Sequence, residues 1–364
     1  MQIELPISKS IANRLLILQA IHGDGLMTVS ADLPEDVQIL RRALTTLHNS
    51  TQSYTTLHLS NCGTAMRFLT AYAAQLENRV TILDGVERMH HRPIGQLVDA
   101  LRKMGAQIEY LDEEGFPPLR IKGCILDKHR IVTINNPQST QFVSALLLIG
   151  ANVQTDSTSP YITLTRELIQ HYTTLHNSTQ RYTIEKDWSS AAFWYEYVAL
   201  HGGEITLPGL SRDSLQGDKV AADIFAHLGV RTTHTAEGIT IASTGVADLQ
   251  RSDLQGIDAR STAQRSAEEI LCHDFSACPD LYPAVALTCE RLGITLHATG
   301  VESLPLKESD RLRAVREHRT DHDHRMAMAL LIAGYEVDDT ACISKSYPQF
   351  MEHFRQLQEQ KLSN

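Results

Sequence analysis

Ser8-Lys9-Ser10 runs directly into an apolar stretch, Ile11 to Ile21, whose only charged residue is Arg14. The stretch reads as an apolar helix that begins at the Ser-Lys-Ser segment. A Ser-rich helix start offers free backbone N–H groups and the positive end of the helix dipole, both of which attract anions. Lys9 and Arg14 add two cations to the same place. The device recurs at Asn61-Cys62-Gly63-Thr64-Ala65-Met66-Arg67, which opens another apolar helix with a lone Arg in its first turns. The repetition points to a small, multiply charged anion as ligand.

The background is acidic, with a formal net charge of −10 over 364 residues. That disfavours nucleic acid, which selects a basic face, and makes the motif cations a focused site. The six cysteines are scattered without a C-x-x-C pair, so no metal site is expected and the thiols read as reduced. No targeting peptide or membrane-spanning run is visible, and a cytoplasmic protein is expected.

Along the chain, helical patterns alternate with short β-rich runs. Helices are expected at 11–22, 35–47, 63–76, 93–104, 139–150, 189–200, 217–228, 280–291, 309–318 and 323–333. Strands are expected near 26–30, 80–84, 106–110, 118–122, 131–134, 182–185, 204–207, 230–234, 239–242 and 294–298. Hairpin-like pairs at 106–122 and 230–242 argue for α/β modules with mixed sheets. Two helix endings, each closed by a glycine at Gly105 or Gly229, suggest a repeated module. The octapeptide TTLHNSTQ occurs at 45–52 and again at 173–180. A recent duplication or a linker lying in two loops is the plain reading.

Other segments admit two readings. Ser139 and Thr140 precede an apolar helix and either cap it or also bind phosphate; on that segment alone, capping is preferred. Arg88 and Arg92 flank His90-His91 before Pro93, a first helical turn that is either solvated or anion-binding. Adjacent histidines on a helix point apart and suit a shared metal poorly. Asp187 reads as a helix cap and the following aromatics as core. Leu306-Lys307-Glu308-Ser309-Asp310-Arg311-Leu312 could be a solvated helix start. With Pro279-Asp280, it could instead supply a general acid and base beside cations.

In order, the segments SKSIANR, NCGTAMR, ERMHHRPIGQLVDAL, DWSSA, LQGD, CPD, LKESDRL and DHRMAMAL resemble the 5-enolpyruvylshikimate-3-phosphate synthase family across nearly the whole chain. The resemblance implies an α/β (α+β) fold of two lobes built from βαβαββ units, closing on substrate. The lobes would span 9–186, and 1–8 with 187–364. It implies transfer of the enolpyruvyl group of phosphoenolpyruvate to the 5-hydroxyl of shikimate 3-phosphate, as a monomer and without metal or cofactor. Shikimate 3-phosphate would be held by Ser10, Arg14, Ser139, Thr140, Gln141 and Lys307. Phosphoenolpyruvate would be held by Lys9, Gly63, Arg92, Arg311, Arg325 and Lys345, with Asn61 touching the bound ligands and Arg67 supporting its segment. Asp280 would take the 5-hydroxyl proton, Glu308 would move the proton of the methylene carbon, and Lys9 would assist at the leaving phosphate.

The chain departs from the family pattern in places. It begins almost at the SKS segment, and the stretches 166–182 and 313–323 are short, the latter where a strand pair is usual. Ser303 stands where an Asn is usual and Phe68 where a Pro is usual. Missing strands would leave sheet edges exposed. A non-catalytic ligand-binding relative is therefore an alternative, though every expected charged residue is present. The sister transferase acting on UDP-N-acetylglucosamine is less favoured, because no Cys lies between Arg88 and Pro93.

Overall fold

The computed structural model describes residues 1–27, 33–176, 183–244 and 269–363. The chain forms two compact units: Ser8–Ile184, and a split unit joining Met1–Ile7 to Glu185–Asn364.

The Ser8–Ile184 unit is organised by three helices with little exposed face. Helix α1 (Lys9–His22) is capped by Ser8, whose Oγ accepts the Ile11 N–H, and is buried without interruption from Ile11 to Leu18. After α2 (Glu35–Asn49) come β1 (Tyr54–His58), α3 (Gly63–Ala74), β2 (Val80–Asp84), the short α4 (Glu87–His90), α5 (Gly95–Lys103), β3 (Gln107–Tyr110) and β4 (Leu119–Lys122). Strands β1 and β2 pair in parallel and β4 runs antiparallel to both β2 and β3, in the order β1-β2-β4-β3. That is one complete βαβαββ module. Its second helix ends where Gly105 takes a positive φ of 101°, a conformation that costs glycine little.

A second module starts in the same way and stops sooner. Strand β5 (Ile131–Thr133) crosses over through α6 (Thr140–Leu148) to the parallel β6 (Asn152–Gln154), and α7 (Pro160–His176) follows. Among the described residues no hairpin follows: 183–185 lie outside any strand, and Lys186 makes only an isolated bridge to Ile7. The strand expected at 182–185 is therefore absent over its described part. The strand expected at 26–30 lies mostly outside the described residues.

In the split unit, α8 (Trp188–His201) is buried from Trp188 to Ala199 and forms the axis of the core. Strands β7 (Glu204–Pro208), β8 (Val230–His234) and β9 (Gly238–Ser243) form an antiparallel sheet in the order β7-β9-β8. The N-terminal residues join its edge: Ile3 donates to the Thr206 carbonyl, and Thr206 to that of Met1. A 3-10 turn, Gly217–Val220, leads into α9 (Ala221–Ala226), so the helix expected at 217–228 is split and shorter.

Strand β10 (Ile270–Asp274) then crosses over through a 3-10 turn at Pro279–Leu281 and α10 (Tyr282–Leu292) to the parallel β11 (Thr295–Thr299). Helices α11 (Arg311–Glu317), α12 (His324–Ala333) and α13 (Phe350–Ser363) complete the unit. Here too the module stops at βαβα, and six residues, His318 to Asp323, join α11 to α12. The two-stranded sheets leave apolar residues at the surface: Ile131 of β5 is 55% exposed and Ile270 of β10 is 54% exposed.

Over their described residues, both copies of the duplicated octapeptide begin inside a helix rather than in a loop. The first copy supplies the last turn of α2, and the described part of the second supplies that of α7. The threonine pair bonds back identically in both. Thr45 and Thr46 donate to the carbonyls of Arg41 and Arg42, and Thr173 and Thr174 to those of Ile169 and Gln170. This i−4 bonding satisfies the hydroxyls inside a helix, so a threonine run reads as loop while folding as helix. No described helix is long and apolar enough to cross a membrane.

Candidate active site

Within the Ser8–Ile184 unit, the starts of α1 and α3 are brought together through α2. Lys9 Nζ lies 3.0 Å from Asp36 Oδ2 at the head of α2. The Asp36 carbonyl in turn faces Cys62 Sγ at 3.8 Å, at the N-cap of α3. Asp36 had no distinguishing signal in the sequence, where it is one of two acids in an ordinary helix start.

Arg14 is almost wholly buried and pairs with no carboxylate among the described residues. Its guanidinium donates to Thr165 Oγ1 (2.7 Å), the Ser10 carbonyl (2.8 Å), Ser144 Oγ (3.1 Å) and the Tyr161 carbonyl (3.3 Å). It therefore ties α1 to α6 and α7. Burial lowers its pKa to about 10, leaving it charged at neutral pH. Phe68, in the place of the usual Pro, lies with its ring centre 5.5 Å from the Arg14 Cζ.

Arg92 sits in the link between α4 and α5, so the helix expected from 93 begins at Gly95 instead. Its Nη1 donates to Asn61 O (3.2 Å) and Oδ1 (3.3 Å), while its buried Nε has no hydrogen-bond partner among the described residues. No described carboxylate pairs with it. A buried guanidinium so lightly held is costly unless an anion completes it. Arg67 donates to the carbonyls of Gly63 (3.2 Å) and Pro93 (2.9 Å), which fixes the turn around Arg92. Gly63 has no room for a side chain, since a Cβ there would meet Arg92 Nη2 at 2.6 Å and Arg67 Nη1 at 2.7 Å. The adjacent histidines part as expected, His90 to Asp84 and His91 to Glu87.

Ser139 caps α6, its Oγ accepting the Gln141 N–H at 3.3 Å, and Thr140 is the first residue of that helix. Gln141 Nε2 donates to Thr64 Oγ1 at 3.0 Å, joining the starts of α6 and α3.

The split unit gathers the remaining candidates into one network. Asp280, on the 3-10 turn before α10, accepts Arg311 Nη1 on Oδ1 at 2.7 Å and Arg325 Nη2 on Oδ2 at 2.8 Å. Lys307 Nζ lies 3.5 Å from Asp280 Oδ1. Glu308 lies between Arg311 Nη2 (3.1 Å) and Lys345 Nζ (3.2 Å). Asp323, wholly buried, takes Arg311 Nε at 2.8 Å and Ser309 Oγ at 3.1 Å, and caps α12 through the Arg325 N–H at 3.0 Å.

Charges this closely packed settle one another's protonation. Burial opposes the charge on Arg311, but Asp323, Asp280 and Glu308 outweigh it and push its pKa up. Burial also opposes the charge on Arg325, and Asp280 again reverses the balance. Lys307 goes down, because burial exceeds the help from Asp280 while Arg311 repels it. Asp218 is pushed up to about 6 by burial and the negative charge of Asp280, against the pull of Arg325 and a hydrogen bond from Ser189. Asp187 caps α8, accepting the Ser190 N–H at 2.8 Å.

In this unit, Asp323 and Asp218 join Asp36 of the other unit as site residues that sequence reasoning passed over. Asp323 and Asp218 each lay in a quoted segment, DHRMAMAL and LQGD, but a carboxylate serving a buried arginine looks like any helix-capping Asp. The described residues hold no group of His, Cys, Asp and Glu arranged to bind a metal ion.

The family model for EPSP synthase (3-phosphoshikimate 1-carboxyvinyltransferase) matches residues 1–174, 150–318 and 316–354. A 3-phosphoshikimate 1-carboxyvinyltransferase of Bacteroides fragilis is 34% identical, covering 97% of this chain and 94% of that protein. Its 414 aligned positions exceed the 364 residues here, so the alignment opens gaps in this chain. The enzyme of that name from Idiomarina loihiensis is 28% identical, covering 98% and 96%. A solved EPSP synthase from Acinetobacter baumannii shares the fold, with a TM-score of 0.62 at 18% identity, covering 97% of this chain and 94% of that one. On the family match and the 34% relative together, the chain belongs to the EPSP synthase (3-phosphoshikimate 1-carboxyvinyltransferase) family.

Proposed function

We propose that the protein transfers the enolpyruvyl group of phosphoenolpyruvate to the 5-hydroxyl of shikimate 3-phosphate and releases phosphate. The observation that carries this reading is the grip of Arg311 and Arg325 on the two oxygens of Asp280, with Lys345 and Arg311 holding Glu308. Without substrate, these carboxylates neutralise the cations that an anion would otherwise use. An incoming phosphoenolpyruvate takes over Arg311, Arg325 and Lys345, leaving Asp280 and Glu308 facing negative charge. Released from their counter-ions, Asp280 can accept a proton and Glu308 can carry one to donate, as an acid–base pair.

In the chemistry, the 5-hydroxyl oxygen attacks C2 of the enol phosphate as Asp280 takes its proton and Glu308 protonates C3. Glu308 then removes a proton from the resulting methyl group as phosphate leaves with help from Lys9, and the proton held by Asp280 departs with the phosphate. In the other unit, Arg92 and the backbone at Gly63 offer further positive charge to phosphoenolpyruvate, with Asn61 beside them. Shikimate 3-phosphate is assigned to Ser10, Ser139, Thr140, Gln141 and Lys307. Arg14 has four internal acceptors and one Nη1 N–H left for a ligand. The assignment of residues to substrates, the monomeric state and a cytoplasmic location are parts of the same proposal.

The test is phosphate release from the purified protein with both substrates and with each omitted. Release that needs both supports the transferase. No release, with shikimate 3-phosphate still binding in a parallel titration, supports the non-catalytic relative instead. The UDP-N-acetylglucosamine reading predicts release with that sugar nucleotide, and the family match argues against it.

A further inference from the structure

The six residues His318 to Asp323 stand where the complete module would continue into a hairpin. Three of them, His318, Asp321 and His322, have positive φ values of 51°, 46° and 58°. None is glycine, so each conformation costs free energy and persists only where its surroundings hold it. Each of the three has its own tether. His318 Nε2 bonds Glu290 at 2.9 Å, and its ring stacks on Tyr335 at 4.0 Å. Asp321 takes Arg313 at 3.0 Å and Arg319 at 3.2 Å. His322 Nδ1 lies 2.6 Å from Asp339 Oδ2. Between them, the buried Thr320 hydroxyl donates to Asp338.

The strap connects, directly or through Asp339, to the three cations of this unit assigned to phosphoenolpyruvate. It leaves α11, which Arg311 begins, and it ends at Asp323, which binds Arg311 and caps the helix of Arg325. Asp339 reaches the third cation. While Oδ2 holds His322, Oδ1 accepts the N–H groups of Ala341 (2.9 Å) and Cys342 (3.3 Å). It thereby caps the 3-10 turn Ala341–Lys345, at whose end Lys345 reaches Glu308.

We propose that this strap takes over the positioning work of the absent hairpin, with the His322–Asp339 contact setting Lys345 for phosphoenolpyruvate. The inference rests on the functional reading above. His322 faces Asp339, Asp338 and Asp321, with Arg319 near Asp338; the bond to Asp339 holds its pKa above the usual histidine value against the opposing effect of burial. The charged form of the contact is therefore complete below the ordinary histidine range and is lost as pH rises through the raised value.

The experiment compares H322A, D339N and H322R with the wild-type protein. Asn at 339 keeps an oxygen for the 3-10 turn while removing the charge that faces His322. Arg at 322 keeps a cationic donor that does not titrate. Calorimetric titrations with phosphoenolpyruvate alone and with shikimate 3-phosphate alone are run at pH 6 and pH 8.5, beside thermal melts. In H322A and D339N, phosphoenolpyruvate affinity falls about two- to fivefold, as for one exposed charge-assisted contact. Shikimate 3-phosphate affinity and melting temperature hold. H322R restores the affinity and loses the part of the wild-type pH dependence due to His322. Unchanged phosphoenolpyruvate affinity in both variants overturns the proposal, as does a parallel loss for both substrates with a lowered melt. A wild-type protein that binds phosphoenolpyruvate but never releases phosphate sinks the functional reading alone; one that does not bind it sinks both.

Discussion

Arg311 holds Asp280 at 2.7 Å through a guanidinium that is itself only 1% exposed. A general base bound that tightly is an internal counter-ion until a substrate displaces it. Asp280→Asn removes the competitor for the cations but leaves Arg311 supported by Asp323 and Glu308. Phosphoenolpyruvate affinity is expected to hold or tighten, while kcat falls by about 10²–10⁴-fold, the usual contribution of a positioned acid or base. Steady-state kinetics with a direct titration separate the two effects. Weakened binding with normal turnover would remove Asp280 from the proton-transfer step.

Arg325 reaches Asp280 through a planar fork that a lysine cannot reproduce. Arg325→Lys is expected to weaken phosphoenolpyruvate binding by about tenfold or more, on the scale of one charge-assisted bidentate contact. Shikimate 3-phosphate binding should change little. Equal losses for both substrates in calorimetry would contradict the assignment of Arg325.

Gly63 is packed against two guanidinium groups, and only one of them can move. Arg67 is held by two carbonyls, whereas among the described residues the Arg92 guanidinium is anchored only at Asn61. Gly63→Ala therefore displaces Arg92. The expected result is a KM for phosphoenolpyruvate raised about tenfold with kcat largely kept, the signature of lost ground-state binding. An unchanged KM would place Arg92 away from that substrate.

The site was legible wherever a charged residue interrupted an apolar helix, as at Arg14, Arg67 and Arg325, because burial gives such a residue few alternatives to a ligand or a partner. Asp36, Asp218 and Asp323 were not, because an acid near a helix start is ordinary on any surface. Among elements, the glycine-closed helices and the hairpin at 106–122 followed from local pattern. Helix α7, with its threonines and β-branched residues, did not, nor did α13. Strand β1 was hidden beside the duplicated octapeptide, and β6 and β10 are too short or too exposed for a clear alternation. The end of α4 shows the limit of local rules: Pro93 suggested a first helical turn, but Arg67 holds its carbonyl in the link between two helices.

Glu196 lies inside α8 with neither carboxyl oxygen hydrogen-bonded among the described residues, and burial pushes its pKa well above the usual carboxylate range. The native state keeps a proton that the unfolded chain releases above its ordinary pKa. Stability therefore falls as pH rises from there toward the raised value. Glu196→Met should flatten that slope and be more stable at pH 8 by about 1–3 kcal/mol, the cost of an unsatisfied buried polar group. Urea unfolding at pH 5 and pH 8 checks it, and an unaltered slope would mean that Glu196 finds a partner in solution.

Both curtailed modules keep the segments that bear Ser139 to Gln141 in one and Asp280, Lys307, Glu308 and Arg311 in the other; what they lack, among the described residues, is the closing hairpin. Selection can therefore prune this repeat from its trailing end without touching its chemistry. The hairpin is where a lineage can gain or shed length, and where a designer seeking a minimal version of the fold should cut first.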